Sequence, residues 1–518
     1  MRWTAGILGV LLVGLLLLPW LLRAPGSGRT TGEGPPLVIV TPHTEQIRIE
    51  FERAFNEWHR EHFGHSVAID WRAPGGTSEI RRLLIDQYQA AIRNGEYQMA
   101  DGQVVITPGR MGYDLLFGGG SFEHDQIRNG FTATIEGQET RIPISVPAGF
   151  TQQQLDDWFG ENKIGSQTLY DPQQYWIGTA LSGFGIIYNK DLYARRGMDT
   201  PTKFEHLTDR RLMGMVALAD PRQSGSITTT FDSILNVYGW DDGWRILREM
   251  SANTRYFTSA ATKPPLDVAA GEAMAGLAID FYGRTQAQAV TPPGAPPESS
   301  RVGYVDPVGA TYIDADPISI LRSGPNPELA RRFVEFCLTE QAQSLWQFRA
   351  NPQQAGPTPT GPVRYELRRA PVRRVMYERY ADRFVDQLDP FQAAADVESK
   401  GWRSAIPIMM GAFGVDSDDE LHAAWAALWR LRDRTAKDPA WAPVLKRAEQ
   451  AFYAFPSQAV TDTEGVVQVL PFRPEHFRAI RNAWRDPDAA AEARIAYTRF
   501  FRDRYKEVVR LEAGQKPN

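Results

Sequence analysis

Apolar residues fall along this chain in two rhythms, short continuous runs and stripes at helical spacing. Leu37–Val40 is a continuous run, and residues 67–71 and 113–117, each holding one aspartate, read as the second and third strands. Between the first two, Ile47, Phe51, Phe55 and Trp58 share one face of a helix. After the second, residues 73–78 (Ala-Pro-Gly-Gly-Thr-Ser) lead into a helix beginning near Glu79. Strand, loop and helix in repetition predict a parallel sheet with right-handed crossovers. Ligands of such sheets bind beyond the carboxyl ends of the strands, so His43, Thr77, Ser78 and the glycines Gly118, Gly119 and Gly120 are expected along one edge.

The pattern weakens over residues 128–170, where 156–159 reads as a short helix. Residues 176–189 then alternate small and apolar side chains at strand spacing and stop at the turn Asn189-Lys190-Asp191. Pro201 opens a helical phrase, and residues 215–219 read as a short buried strand. Ser224-Gly225-Ser226 leads into a helix bearing Ile234, Leu235 and Tyr238. Residues 266–275 read as a helix of small residues, 276–280 as a strand and 289–300 as a surface loop rich in proline and serine. Past Trp346, residues 364–383, 418–434, 449–453 and 479–511 are predicted helical, with Ala423, Ala424, Leu428 and Leu431 in one stripe. This tail is expected to cover the first part of the chain. The pairs Arg368-Arg369 and Arg373-Arg374 read as a solvated helix face.

Composition narrows the choice. The chain has 518 residues, 42% hydrophobic and 23% charged, enough for more than one core. A net charge of −5 without a dense basic block excludes a nucleic-acid partner. Cys337, alone and inside an apolar phrase, excludes an intrachain disulfide and a cysteine metal site. Residues 5–22 form an apolar run bounded by Arg2 and Arg23, longer than a usual signal core and without a clean small-residue cleavage site. It reads as a secretory signal or a membrane anchor, with its length favouring a retained anchor, followed by a flexible tether through residue 36. His59, His62 and His65 sit at a helix end and read as solvated. No nucleophile elbow, zinc-protease, P-loop or dinucleotide motif is present.

Two helix starts carry candidate chemistry. Ser224-Gly225-Ser226 and the Gly75 to Ser78 turn offer hydroxyls and backbone N–H groups at a partial positive charge, an arrangement that plain N-capping also produces.

Two stretches carry a resemblance. Tyr188-Asn-Lys-Asp-Leu192, at the end of the long strand, and residues 316–346, which open DPISILRSGPNPELARRFVEFC, resemble the outward and return crossings of bacterial periplasmic solute-binding proteins of ABC importers, nearest to the ferric-ion and phosphonate-type binders. The resemblance covers roughly residues 37–380. It implies an α/β, two-lobed periplasmic-binding-protein fold, with two parallel or mixed sheets joined by hinge strands and a helical C-terminal extension. The implied division is anchor and tether 1–36, lobe 1 37–177, lobe 2 178–317, return to lobe 1 318–380 and extension 381–518. It further implies an exported, periplasmic, monomeric protein without catalytic residues. Such a protein captures a small anion or ferric-anion ligand for an ABC permease in the inner membrane. Ligand contacts carried over are His43, Thr77, Ser78, Gly119, Ser224, Gly225, Ser226, Asp280 and Tyr282, with His43 and Tyr282 as metal ligands if ferric iron is the cargo; no other cofactor is implied. The relatives have adjacent tyrosines where Tyr282 stands alone, and a glutamate where this chain has Gly118, Gly119 and Gly120. A membrane-anchored ligand sensor on the same fold is the alternative, and a hydrolase would need Glu45 or Asp280 as its carboxylate.

Overall fold

The computed structural model describes residues 34–514 apart from 101, 293–294, 296–298, 387–388 and 462–464. The expected anchor and most of its tether, as well as parts of the 289–300 loop, lie outside the described residues. Among the described residues no helix is long and apolar enough to cross a membrane.

The chain first builds β1 (Leu37–Val40), α1 (Glu45–Phe63), β2 (Ile69–Arg72), α2 (Thr77–Arg93), β3 (Leu115–Phe117) and α3 (Ser121–Asn129). β1 pairs parallel with both β2 and β3, as the strand–helix repetition predicts. Ile47, Phe51 and Phe55 of α1 are buried against the sheet, with Trp58 at the margin of the same core. The short helix expected at 156–159 is Gln152–Phe159, started by a Thr151 capping box.

β4 (Ile177–Asn189) is buried at all thirteen positions. Beyond it come β5 (Val216–Ala219), α4 (Gly225–Ala252), β6 (Thr254–Thr258), α5 (Lys263–Ala270), β7 (Ala275–Ile279), α6 (Asp280–Ala289) and β8 (Val302–Val305). The return follows as β9 (Ile313–Leu321), α7 (Pro327–Cys337), α8 (Glu340–Gln347) and β10 (Ala370–Pro371). Among the described residues the principal sheet runs β6-β5-β7-β4-β9-β3-β1-β2. β4 is the joint: Ile177 to Gly183 pair antiparallel with β9, whereas Phe184 to Tyr188 pair with β7. β9 in turn pairs with β3. Two strands therefore belong to both halves of the molecule, and separate cores lie to either side of them.

The extension adds α9 (Asp418–Lys437), α10 (Ala442–Phe452), the hairpin β11 (Ser457–Thr461) and β12 (Val467–Pro471), α11 (Pro474–Ala483) and α12 (Pro487–Glu512). It was expected on the first half and lies on the second, sharing one core with α4. The reason is in α4 itself, whose buried residues occupy every face. A helix apolar all round must be covered all round. The stripe that meets it is Leu421, Ala424, Trp425, Leu428 and Leu431, while Ala423 is exposed.

Six other expectations change. His59, read as solvated, is buried. Residues 364–383 are not one helix: Arg368 has φ 54°, residues 370–371 are strand β10, and only Val375–Tyr380 is helical. Arg368 and Arg369 are buried rather than solvated. The phrase after Pro201 makes two 3-10 turns, Phe204–Thr208 and Arg210–Leu212. α5 ends at Ala270 because Gly271 takes the left-handed conformation, φ 79°, and Pro487 starts a new helix inside the expected 479–511 span.

Candidate functional site

A cleft of about 410 Å³ opens where strand ends of the two halves face each other. One wall carries His43 after β1, Thr77 and Ser78 at the start of α2, and Gly119 and Glu123 after β3. The other carries Ser224, Gly225 and Ser226 at the start of α4, with Phe281 and Tyr282 after β7. Ser182 of β4, Asp314 and Asp316 of β9, and Arg369 complete the lining. Of the residues expected here only Asp280 is outside the lining: it is buried beside Arg284, Oδ2 to Nη1 3.4 Å. Glu45, the other carboxylate considered, begins α1 at an exposed position outside the lining.

Gly118 and Gly119 replace a side chain for steric reasons. Both have positive φ, 95° and 115°, and a Cβ would collide with the His43 ring at the first and with Thr77 at the second. The close backbone lets Gly119 N–H donate to Asp316 Oδ1 at 2.6 Å. A glutamate nevertheless reaches the cleft: Glu123, in the first turn of α3, with Ser78 Oγ 3.4 Å from its Oε1. It stands against the start of α4, where a Cβ on Gly225 would lie 2.6 Å from Glu123 Oε1. The positive end of α4 is thus already faced by a carboxylate of the other half. Ser224 Oγ accepts from Ile227 N–H at 3.4 Å, the N-capping role that local sequence allows.

Arg369 was missed by sequence reading. Its guanidinium pairs with Asp316, donates to Ser182 Oγ at 2.5 Å and lies 4.2 Å from the centre of the Phe281 ring. Burial pushes the Asp316 carboxyl up, but Arg369 and His43 outweigh it and hold it at about 2. His43 Nε2 lies 2.9 Å from Asp316 Oδ2. The same Nε2 lies 2.9 Å from Arg369 Nη1; burial lowers the His43 pKa, and Nδ1 is buried without a hydrogen-bond partner. Burial also raises the pKa of the Tyr282 phenol. Among the described residues no three His, Cys, Asp or Glu side chains gather in metal-holding geometry.

Asp314 and Glu123 converge. A Cβ on Gly120 would lie 3.2 Å from an oxygen of each. Burial, reinforced by Glu123, pushes Asp314 up to about 7, against the opposing hydrogen bonds from Ser121. Its Oδ1 is buried without a partner. The fold thus favours the protonated form. The unfolded chain releases that proton above about pH 4, so Asp314's contribution to stability is complete below that pH and declines as pH rises to about 7. Wild type is therefore expected to lose more thermal stability between pH 5 and pH 8 than Asp314→Asn; equal losses in calorimetric melts would mean that Asp314 ionises normally.

On one side the cleft shares Thr44, Thr262, Phe281 and Tyr282 with an annex of about 560 Å³. Ile47, Pro265, Leu266 and Leu367 line it together with the charged side chains Arg364 and Glu366.

Residues 119–365 match the family model described as bacterial extracellular solute-binding protein. An uncharacterized protein of Haemophilus influenzae is 29% identical over 171 residues, 33% of this chain and 46% of that protein. The phosphoglycerate transport regulatory protein PgtC of Salmonella typhimurium is 23% identical over 169 residues, 33% of this chain and 40% of that one. The chain thus spans less than half the length of these curated relatives. Among solved structures, iron-bound HitA from Pseudomonas aeruginosa gives a TM-score of 0.48 at 15% identity, covering 72% of this chain and 98% of that one. The periplasmic binding protein AfuA from Actinobacillus pleuropneumoniae, with fructose-6-phosphate bound, gives 0.45 at 15% identity, covering 73% and 98%. The segment that matches the family model, residues 119–365, holds the crossing strands and most of the cleft.

Proposed function

We propose that this chain is an exported solute-binding protein of an ABC importer and that its cleft takes a small anion that also carries hydroxyl groups. The observation that carries the reading is the position of the cleft. It lies between two halves that share β4 and β9, so rotation about those strands changes its width, and a solute touching both walls favours the narrower state. A permease in the inner membrane would then distinguish the closed form from the open one.

The lining supports the choice of solute. Among its residues Arg369 is the one arginine, already paired with Asp316, and no lysine occurs, whereas Glu79 and Glu123 are also present. A bare polyanion meets too much negative charge there. An anion with hydroxyls can place oxygens against Ser78, Thr77, Ser226 and the α4 start while donating hydrogen bonds to Glu123 and Asp314. The name of the PgtC relative, phosphoglycerate transport regulatory protein, fits that solute class. A ferric-anion complex is the second reading, favoured by the unpartnered Nδ1 of His43 and by Tyr282 in the cleft wall.

Native mass spectrometry of protein taken from the cells that make it is expected to show a hydroxylated anion as a noncovalent adduct, and calorimetric titration with 3-phosphoglycerate to show tighter binding than with inorganic phosphate. Ser226→Ala removes one hydrogen bond to a charged partner, about 1.5–3 kcal/mol, and should weaken binding of the adducted solute about tenfold to a hundredfold. A cationic adduct, or undiminished affinity in the variant, overturns this assignment of the cleft.

A further inference from the structure

The extension reaches the cleft from outside the matched segment. After Val375–Tyr380 the chain passes back over the joint between the halves. Ser166 Oγ, in the first half, donates to Val397 O at 2.6 Å; Ala395 N donates to Thr311 O, just before β9, at 3.2 Å; and Lys400 N donates to Asn236 Oδ1 of α4, in the second half, at 2.8 Å. This strap is a third covalent crossing besides β4 and β9.

Arg403 follows the strap directly. Its Nη1 donates to Thr229 Oγ1 at 2.7 Å and its Nη2 to Gly225 O at 3.0 Å, so one planar fork grips the first turn of α4, which supplies Gly225, Ser226 and Thr229 to the cleft wall. The face of the same guanidinium lies 4.6 Å from the centre of the Phe122 ring. Phe122 is in α3 of the opposite half, next to Glu123, and is 41% exposed. One side chain of the extension therefore touches both halves, gripping a cleft wall in one and the neighbour of Glu123 in the other.

We propose that Arg403 is a positioning residue of the cleft and a latch between its halves, through which the C-terminal extension sets how far the cleft opens. The geometry needs an arginine. A lysine ammonium has neither the fixed fork for two oxygens nor a planar face to lay on an aromatic ring. A cation lying over an exposed ring supplies a modest bias, about a twofold to fivefold shift between closed and open populations. That size suits a latch that a solute can override. It also separates two contributions to closure, one from the solute and one present without it.

The test uses the full chain without added solute. Spin labels are placed through Asp86→Cys on α2 and Asp241→Cys on α4, both exposed positions; the native Cys337 is buried. Double electron–electron resonance is expected to give a longer or broader inter-label distance for Arg403→Ala and for Phe122→Leu than for the labelled parent. Arg403→Lys should resemble Arg403→Ala, and the double variant should open no further than either single one. Because Phe122 is partly exposed, Phe122→Leu preserves the fold even if Arg403→Ala does not. A role limited to stability would lower the melting temperature and leave the distances alone. Unchanged distances in Phe122→Leu, or full recovery by Arg403→Lys, overturn the latch.

Discussion

A chain cut after Arg403 is expected to lose cooperative folding. Trp240, Trp244, Leu247 and Met250 of α4 share one core with Met410, Phe413, Trp425, Phe452, Phe501 and Tyr505 of the extension. Returning large apolar side chains to water costs about 1.5–3 kcal/mol each. Uncovering the four named on α4 alone amounts to about 6–12 kcal/mol, against a whole-domain stability of about 5–15 kcal/mol. Two polar ties go as well. Trp425 Nε1 donates to Asn253 Oδ1 at 2.9 Å. The buried guanidinium of Arg248 donates to Phe452 O and Ala454 O and packs over Phe413, Phe455 and Phe501 at 5.2, 4.8 and 4.9 Å. All these partners belong to the extension, so the cut leaves Arg248 without them. Thermal denaturation followed by circular dichroism should show no sharp transition. A single transition within a few degrees of the full chain would make the extension an accessory.

Arg369→Met is expected to cost about 3–5 kcal/mol in urea denaturation, the usual consequence of removing one partner of a buried ion pair. Asp316 would keep its charge in a place where burial opposes it. Adding Asp316→Asn should recover part of the loss, because a neutral amide needs no countercharge. The pH dependence gives a second check. The Asp316 carboxyl is held at about 2, so its contribution is present above about pH 4 and is lost as pH falls towards 2. The gap between wild type and Arg369→Met should narrow over that range. A double variant no more stable than the single one would show that the pair is not what holds this corner together.

These residues mark where sequence reading stops. The strand runs were legible because small and apolar residues dominate each of them: 37–40, 115–117 within the expected 113–117, and 177–189 within 176–189. The hydroxyl-bearing helix starts were legible because capping chemistry is local, and they converge on one cleft. Arg369 was not, since the acidic partner that buries it, Asp316, lies more than fifty residues away and nothing in its own neighbourhood distinguishes it from a solvated arginine. A local signal did exist against the helix: Pro371, in the middle of the expected span, suits a strand edge better than a helix interior. Glu123 was not legible from the strand end itself, where the glycines stand; its carboxylate reaches the same space from the next helical turn. The apolar stripe of residues 421–431 was readable, but a stripe does not name the surface it covers.

The shared core of α4 and the extension has a consequence in time. As the chain is made from its N-terminus, residues 225–252 emerge long before Phe501 and Tyr505, which close over them. Until then the second half presents an uncovered aromatic face, the kind of surface on which partly made chains stick to one another. A helper that shields such faces would be needed most for this half and for that interval, and a nonsense mutation late in the coding sequence would yield a sticky product rather than a merely shorter one.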